Sequence, residues 1–576
     1  MFYMVFPSSP SGATIKPDPT WTDVESWAWK QIQLGNEVRL PGPCPTPKNS
    51  DPDRDSSFSH SDFSLRGTFL QQILTTLPYR DIATTRPILI HGANIVGNML
   101  ADGGTSHSRV IISCSTFDGT VLFNDWEFLH RVHFHKIEAR ESIGLRAVHA
   151  SSRFTISNSD VQRVEISGST IDGNLSFRDT SVHDKLTIIN TKVENSLLTG
   201  CRDVRSDKER CATYGATHFT NLSVGRSVHL VGSFFKSKTI FESIRLAGNF
   251  IADDVHYAGM LIFIGGTIEG RVYMTRSSSN SVLSFIGSVV RGGVDLSESH
   301  HASVKILDTD IYRDLDLTKS DISFFFDITG SRVHGALRLA PLSQPEQERA
   351  DSANKGFRRH FTARNAYVTI LEDTTDAWNR WSVLDLNGFE YEKLSSPSTS
   401  VRLRADNPYL RDAQWFKRWL EGLETYSPQP YSQLSELLRR EGQIKTANAI
   451  LFEGKERERT ALSWGDGRRW WLELLSYSIG YGVGLGAFRA LGWMALFAAI
   501  SWLVTTRRAI KKDGLSASLV DRLWYSITFT VPGFTLVTRD ELTVSRLAQS
   551  ILYVQRLICF TLALLAGAAA VGIVHP

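Results

Sequence analysis

The chain has 576 residues and a formal charge of only +3, which leaves no overall polyanion-binding signature. Its five cysteines, Cys44, Cys114, Cys201, Cys211 and Cys559, form no CxxC pair. An odd, scattered set argues against a disulfide framework and against a structural zinc.

Residues 1–20 read as disordered. Residues 1–6 are apolar but too short, and lack the basic flank, for a secretory signal. An amphipathic stretch at 21–34 places Trp21, Val24, Trp27, Ala28 and Ile32 at helical spacing. A linker rich in Pro, Ser and Asp follows at 41–59. Helical spacing returns at Phe69, Leu70, Ile73, Leu74 and Leu77. Residues 21–86 thus supply N-terminal helices, a linker and a cap, which the unpaired backbone of an open β-helix end requires.

From residue 87 a phrase recurs about every 22 residues: apolar, any, Gly, any, apolar. It reads Ile95-Val96-Gly97-Asn98-Met99, and it returns at Phe117 with Gly119 and at Ile171 with Gly173. It returns again at Ile268, Val290 and Val333, with Gly270, Gly292 and Gly335. Positions 268, 290, 311 and 333 step by 22, 21 and 22. Alternating apolar pairs such as Leu175/Phe177 and Val294/Leu296 read as half-buried strands. The repeated Gly suits corners that need positive φ. One coil cannot bury its own inward residues, so residues 87–340 read as a β-helix of about eleven or twelve stacked coils. The stretch 224–263 is less regular, and 201–211 reads as a charged loop. Residues 341–407 read as an irregular connection with room for extra strands.

Three chemical readings, two on the coils and one beyond them, are weak. His133 and His135 share a strand face, as two metal ligands would, but Val132 and Phe134 turn them outward and no third ligand joins them or His130. Asp160, Asp172, Asp308 and Asp316 are scattered, without the pairing that glycoside hydrolysis needs. Gly480-Tyr481-Gly482-Val483-Gly484-Leu485-Gly486-Ala487 contains GxGxxA, but a span rather than a βαβ unit surrounds it. No catalytic, cofactor or metal residue emerges.

From residue 408 the period becomes helical. Residues 408–488 read as a helical hairpin, with a Gly442 stop, followed by juxtamembrane helices. Lys455-Glu456-Arg457-Glu458-Arg459 reads as a solvated helix face. Residues 489–576 read as a membrane module. Residues 490–504 form an uncharged run of 15 that extends back through Arg489, and 557–574 form one of 18. Trp470, Trp471, Trp493 and Trp502 fit interfacial anchoring. Between the runs, 519–534 reads as an apolar half-length helix ending at Pro532-Gly533. Span, half-helix, span is the layout of simple tetrameric cation channels. Thr528, Thr530, Val531, Pro532, Gly533 and Phe534 form the candidate re-entrant or pore segment, although Pro532 departs from a carbonyl filter. Packing at the interface is the plainer expectation.

The residues Glu25-Ser26-Trp27-Ala28-Trp29, the Phe69-Leu70 helix, the Ile-x-Gly coils, Leu438-Arg439-Arg440-Glu441-Gly442 and Ile479-Gly480-Tyr481-Gly482 form a combination. In it the chain resembles bacterial membrane proteins labelled "membrane-associated oxidoreductase". The resemblance implies redox chemistry, for which no flavin, haem, nicotinamide or Fe–S motif is present.

The sequence therefore predicts a mainly β protein, a β-helix followed by a helical spacer and a two-span α module. The leading functional expectation is a membrane-anchored binding, scaffold or sensor protein rather than an enzyme. A channel-like membrane effector and the oxidoreductase are the alternatives. Expected partners are the lipid bilayer and a protein on the solenoid face. No nucleic acid or cofactor is expected, and a homo-oligomer is compatible. The expected location is the bacterial inner membrane, with the β-helix in the cytosol.

Overall fold

Period-two alternation puts one side chain of each pair inward, and parallel stacking of successive coils then buries it. In the computed structural model, residues 14–45, 64–201, 212–340, 358–396, 408–484, 488–505, 510–511, 518–531, 542–543 and 546–570 are described. The chain divides into two units, Met1–Val383 with Phe389–Ala405, and Leu384–Gly388 with Asp406–Pro576.

The first unit is a β-solenoid of about 13 turns with about 22 residues per coil. One inward column runs Ile171, Val193, Val224, Leu246, Ile268, Val290, Ile311 and Val333, each in parallel register with the next. The stretch 224–263 is therefore as regular as its neighbours. The rungs continue beyond residue 340, where His360–Thr362, Tyr367–Asp373 and Glu390–Ser395 pair onto the preceding coils.

Two details of the repeat differ from the sequence reading. Ile95 and Phe117 do not belong to the column above. They stack with Ala139, Val161 and Val182, on another side of the coil. Val161 and Ile171 lie 10 residues apart, so the same phrase serves two sides, about half a coil out of phase. The motif glycines also act mainly through space rather than through φ. A Cβ on Gly173 would lie 2.5 Å from the Arg153 nitrogen, and one on Gly292 would lie 2.3 Å from the Gly270 oxygen. Only glycine lets successive coils approach so closely. Corners that do need positive φ are often held by Asn or Asp, as at Asn158, Asp179, Asn190 and Asn221, with φ between +49° and +52°.

The core is aliphatic with an aromatic ladder. Phe219, Phe241, Phe263 and Phe285 stack coil on coil, with centroids 4.7, 4.9 and 4.5 Å apart. At the N-terminal end, helix α1 (Asp23–Leu34) and helix α2 (Gly67–Thr75) form the cap. Leu70, Ile73 and Leu74 of α2 face Ile88, Ile90 and Met99 of the first coils. Trp29 rather than Trp27 is the inward tryptophan of α1, and it packs with Trp21 and with Tyr79 of helix α3 (Tyr79–Ala83). The Glu25 carboxylate is fully buried and accepts from the Arg66 backbone at 2.9 Å and from its guanidinium at 2.6 Å. Residues 14–20, read as disordered, are held against α1 in part by the Trp29 indole, which donates to the Ile15 carbonyl at 3.0 Å.

The absence of disulfides expected from the cysteine pattern is contradicted. Cys44 and Cys114, 70 residues apart, are bonded, and Cys201 is also disulfide-bonded. Sequence spacing carries no information about sulfurs that coil stacking brings together. Cys559 is free and buried.

The second unit is helical. Helices α4 (Ala413–Glu421), α5 (Pro428–Arg440) and α6 (Ile444–Ala461) come first, and α5 and α6 pack as the predicted hairpin turned at Gly442. Helix α7 (Gly467–Ile479) ends in a bend where Gly480, Tyr481, Gly482 and Gly484 all have positive φ. Helices α8 (Phe488–Thr505), α9 (Leu519–Thr530) and α10 (Arg546–Ala570) complete the unit. Among the described residues, Phe488–Thr505 and Gln549–Ala568 are long and apolar enough to cross a membrane. The second of these segments begins eight residues before the uncharged run at 557 and so includes Arg556, whose guanidinium lies over the Phe529 ring, 5.8 Å from its centroid.

Candidate functional site

Helices α8, α9 and α10 are apolar outside and hold a polar network inside. Ser501 of α8 donates its hydroxyl to the Gln555 amide oxygen of α10. The same amide donates to Thr530 Oγ1 of α9 at 3.0 Å, and Thr530 donates to the Ser526 carbonyl at 2.8 Å. Ser501, Gln555, Thr530 and Ser526 are all buried, and Ser526 Oγ has no partner among the described residues. In an apolar medium such groups must satisfy one another, so they act as a clasp between the three helices.

The geometry fixes how the helices run. Leu565 and Ala566 near the end of α10 pack against the cluster that contains Ala490, near the start of α8, whereas Gln555 meets Ser501. Helices α8 and α10 are therefore antiparallel. The start of α9 receives the Trp502 indole at the Leu519 carbonyl, 3.4 Å away, and its end reaches Gln555 through Thr530. Both ends meet the long helices at one level, although α9 is about 18 Å long. It crosses the pair instead of running alongside it.

The residues singled out from sequence fall as follows. Thr528 and Thr530 lie on α9 and face inward, and Thr528 donates to the Trp524 carbonyl at 2.9 Å. Val531 follows the helix and is exposed. Pro532, Gly533 and Phe534 lie outside the described residues. Sequence reasoning missed Ser501 and Gln555. A glutamine inside an apolar helix was the available signal, but starting the second run at 557 excluded it.

The charge run at 455–459 is not a solvated face. Arg459 pairs with Glu456 at 2.6 Å, and Lys455 pairs with Glu458 at 2.9 Å. Glu456 also accepts from Ser476 at 2.7 Å and from the Tyr481 hydroxyl at 2.9 Å, tying α6 to α7 and to the bend that follows it. Burial opposes the charge on Glu456, yet the Arg459, Ser476 and Tyr481 hydrogen bonds hold its carboxyl below the usual range.

On the solenoid, His133 and His135 share the Ser157 hydroxyl at 2.9 and 3.1 Å. No group of three or more His, Cys, Asp or Glu side chains that could hold a metal occurs among the described residues. The four aspartates stay apart. Asp160 meets His183, Asp172 meets His149 at 3.1 Å, Asp316 meets Arg338 at 3.5 Å, and Asp308 occupies a corner with φ +48°.

No family model, curated protein or solved structure matches the chain.

Proposed function

We propose that this chain is a membrane-anchored β-helix that presents its solenoid surface to a binding partner, as a scaffold or sensor. The observation that carries the reading is the outward apolar surface of α8 and α10. Leu491, Leu496, Ile500 and Leu503 on α8, and Val554, Leu557, Phe560 and Leu564 on α10, are all exposed. In water such a surface is an aggregation patch, whereas in lipid it is the surface a spanning helix needs. Helix α7 adds exposed Trp470, Trp471 and Tyr477, residue types that favour the headgroup level, with exposed Leu474 beside them.

The lipid bilayer is thus one partner, and a bacterial inner membrane is the setting proposed. For the side, the disulfides at Cys44–Cys114 and at Cys201 favour an oxidising compartment over the cytosol expected from sequence. Extraction of membranes at alkaline pH tests the anchor: full-length protein stays in the pellet and needs detergent for release. Recovery in the alkaline supernatant would remove the two-span reading.

The buried Ser501–Gln555–Thr530 network favours a second reading, in which residues 519–534 line a pore in a homo-oligomer. That reading requires a symmetric ring and ion flux in liposomes. A monomer without flux would remove it and leave the network as a clasp.

A further inference from the structure

The near-neutral overall charge hides a local segregation. Strands Ile88–His91, Val110–Ser113, Val132–His135 and Phe154–Ser157 lie in parallel register on four consecutive coils. Residues 86–91, 108–114, 130–136 and 152–158 contain no Asp or Glu, yet they contain Arg86, Arg109, Arg131, Lys136 and Arg153. Arg109, Arg131 and Arg153 hold the same corner position on three successive coils, as the backbone bonds Val110 to Arg131 and Val132 to Arg153 show. Adjacent members are therefore about 4.8 Å apart along the axis. With Ser108, His130 and Ser152 they line a shallow groove of about 590 Å³.

None of the three arginines has an ion-pair partner among the described residues. Some cations elsewhere on the solenoid do meet carboxylates one coil away, as Arg140 does Asp118 at 2.7 Å, Arg163 does Asp184 at 2.6 Å and Arg276 does Asp254 at 2.9 Å. Like charges directly opposite on neighbouring strands repel. What sets these three apart is that they stack at one corner position, coil on coil, within strips that hold no Asp or Glu to offset them.

We propose that this corner binds a linear anionic polymer, a flexible chain bearing phosphate, sulfate or carboxylate groups, laid along the solenoid axis. Guanidinium forks match all three anions, and the two serines add donors between the forks. The groove has no Trp, Tyr or Phe in its lining, which disfavours base stacking by single-stranded nucleic acid. Its charges run in single file, which disfavours a bilayer surface. This inference rests on the binding-face reading above and names the class of partner.

The test is fluorescence anisotropy of the full-length protein in a neutral detergent, with labelled long-chain polyphosphate, dextran sulfate and polyglutamate as separate probes across a salt series. Salt-sensitive binding to at least one probe is expected, and the preferred probe identifies the anion. The triple variant Arg109→Gln/Arg131→Gln/Arg153→Gln should lose roughly tenfold or more in affinity, and its salt slope should shrink by about 2 to 3. The corresponding triple Arg→Lys variant keeps most of the binding. A control triple, Arg226→Gln/Lys236→Gln/Lys238→Gln, matches the charge change away from the groove and stays within about twofold. The proposal is overturned if the ladder variant, melting like the parent, binds as tightly as the parent. It is also overturned if the control loses as much, or if only anionic-lipid nanodiscs bind. Failure of all three polymers with a membrane-retained protein removes this ligand class without touching the anchor.

Discussion

At the residue scale, a titratable network centred on His301 lies in the solenoid interior. The Tyr257 hydroxyl is 2.8 Å from His301 Nδ1, and Ser277 Oγ is 3.3 Å from Nε2. Ser277 spends its own proton on the Met274 carbonyl, so the neutral ring carries its proton on Nε2 and accepts from Tyr257. Burial, with a smaller contribution from His300, pushes the His301 pKa down to about 3 from 6.5. The unfolded chain therefore takes up this proton first. The contribution is complete above pH 6.5 and is lost as pH falls towards about 3, at up to about 1.4 kcal/mol per pH unit. Thermal melts across that window should show a slope that shrinks in Tyr257→Phe/His301→Phe. An unchanged slope assigns it to other groups. A second residue-scale prediction concerns Leu296, which is fully buried between coils. Leu296→Asp leaves an unpaired buried carboxylate and should cost about 3–5 kcal/mol by denaturant unfolding. Loss below about 1 kcal/mol would mean that the side chain is not inward.

At the scale of the element, strand alternation and the 22-residue step were legible because each coil repeats the same burial problem. Less legible was the role of the repeated glycine. Crowding from the next coil acts at Gly173 and Gly292, and a single-coil view of the sequence does not show a neighbour. The same limit hid the Cys44–Cys114 bond and the half-coil shift between Phe117 and Ile171. In the helical unit, apolar runs marked the two long helices. The clasp was not legible, since Ser501, Thr530 and Gln555 meet only when three helices assemble. A double-mutant cycle on Ser501→Ala and Gln555→Leu, read by unfolding in detergent, should give a coupling of about 0.6 kcal/mol, with about 1.7 as an upper bound. Additive losses would mean that the two side chains do not bond.

At the scale of the whole molecule, a stacked solenoid gains from a bond that ties its first rung, where Val38 and Arg39 pair with Ile90 and His91, to a coil further along. Cys44–Cys114 spans 70 residues, and in the chain-entropy account its closure is worth about 4 kcal/mol. Cys44→Ser/Cys114→Ser should melt at a lower temperature than the parent under oxidising conditions. Equal melting in that comparison would leave the bond without a stabilising role.

The central claim is that a two-span hairpin fixes the solenoid to one face of a membrane. The most direct measurement uses two single-cysteine variants, Lys192→Cys on the solenoid and Leu519→Cys at the start of α9, in sealed vesicles of known orientation. An impermeant thiol reagent is applied from outside, before and after permeabilisation. Both side chains are exposed in the fold. The account predicts labelling from opposite sides: one site reacts at once, and the other reacts only after permeabilisation. Labelling of both sites from the same side would contradict it.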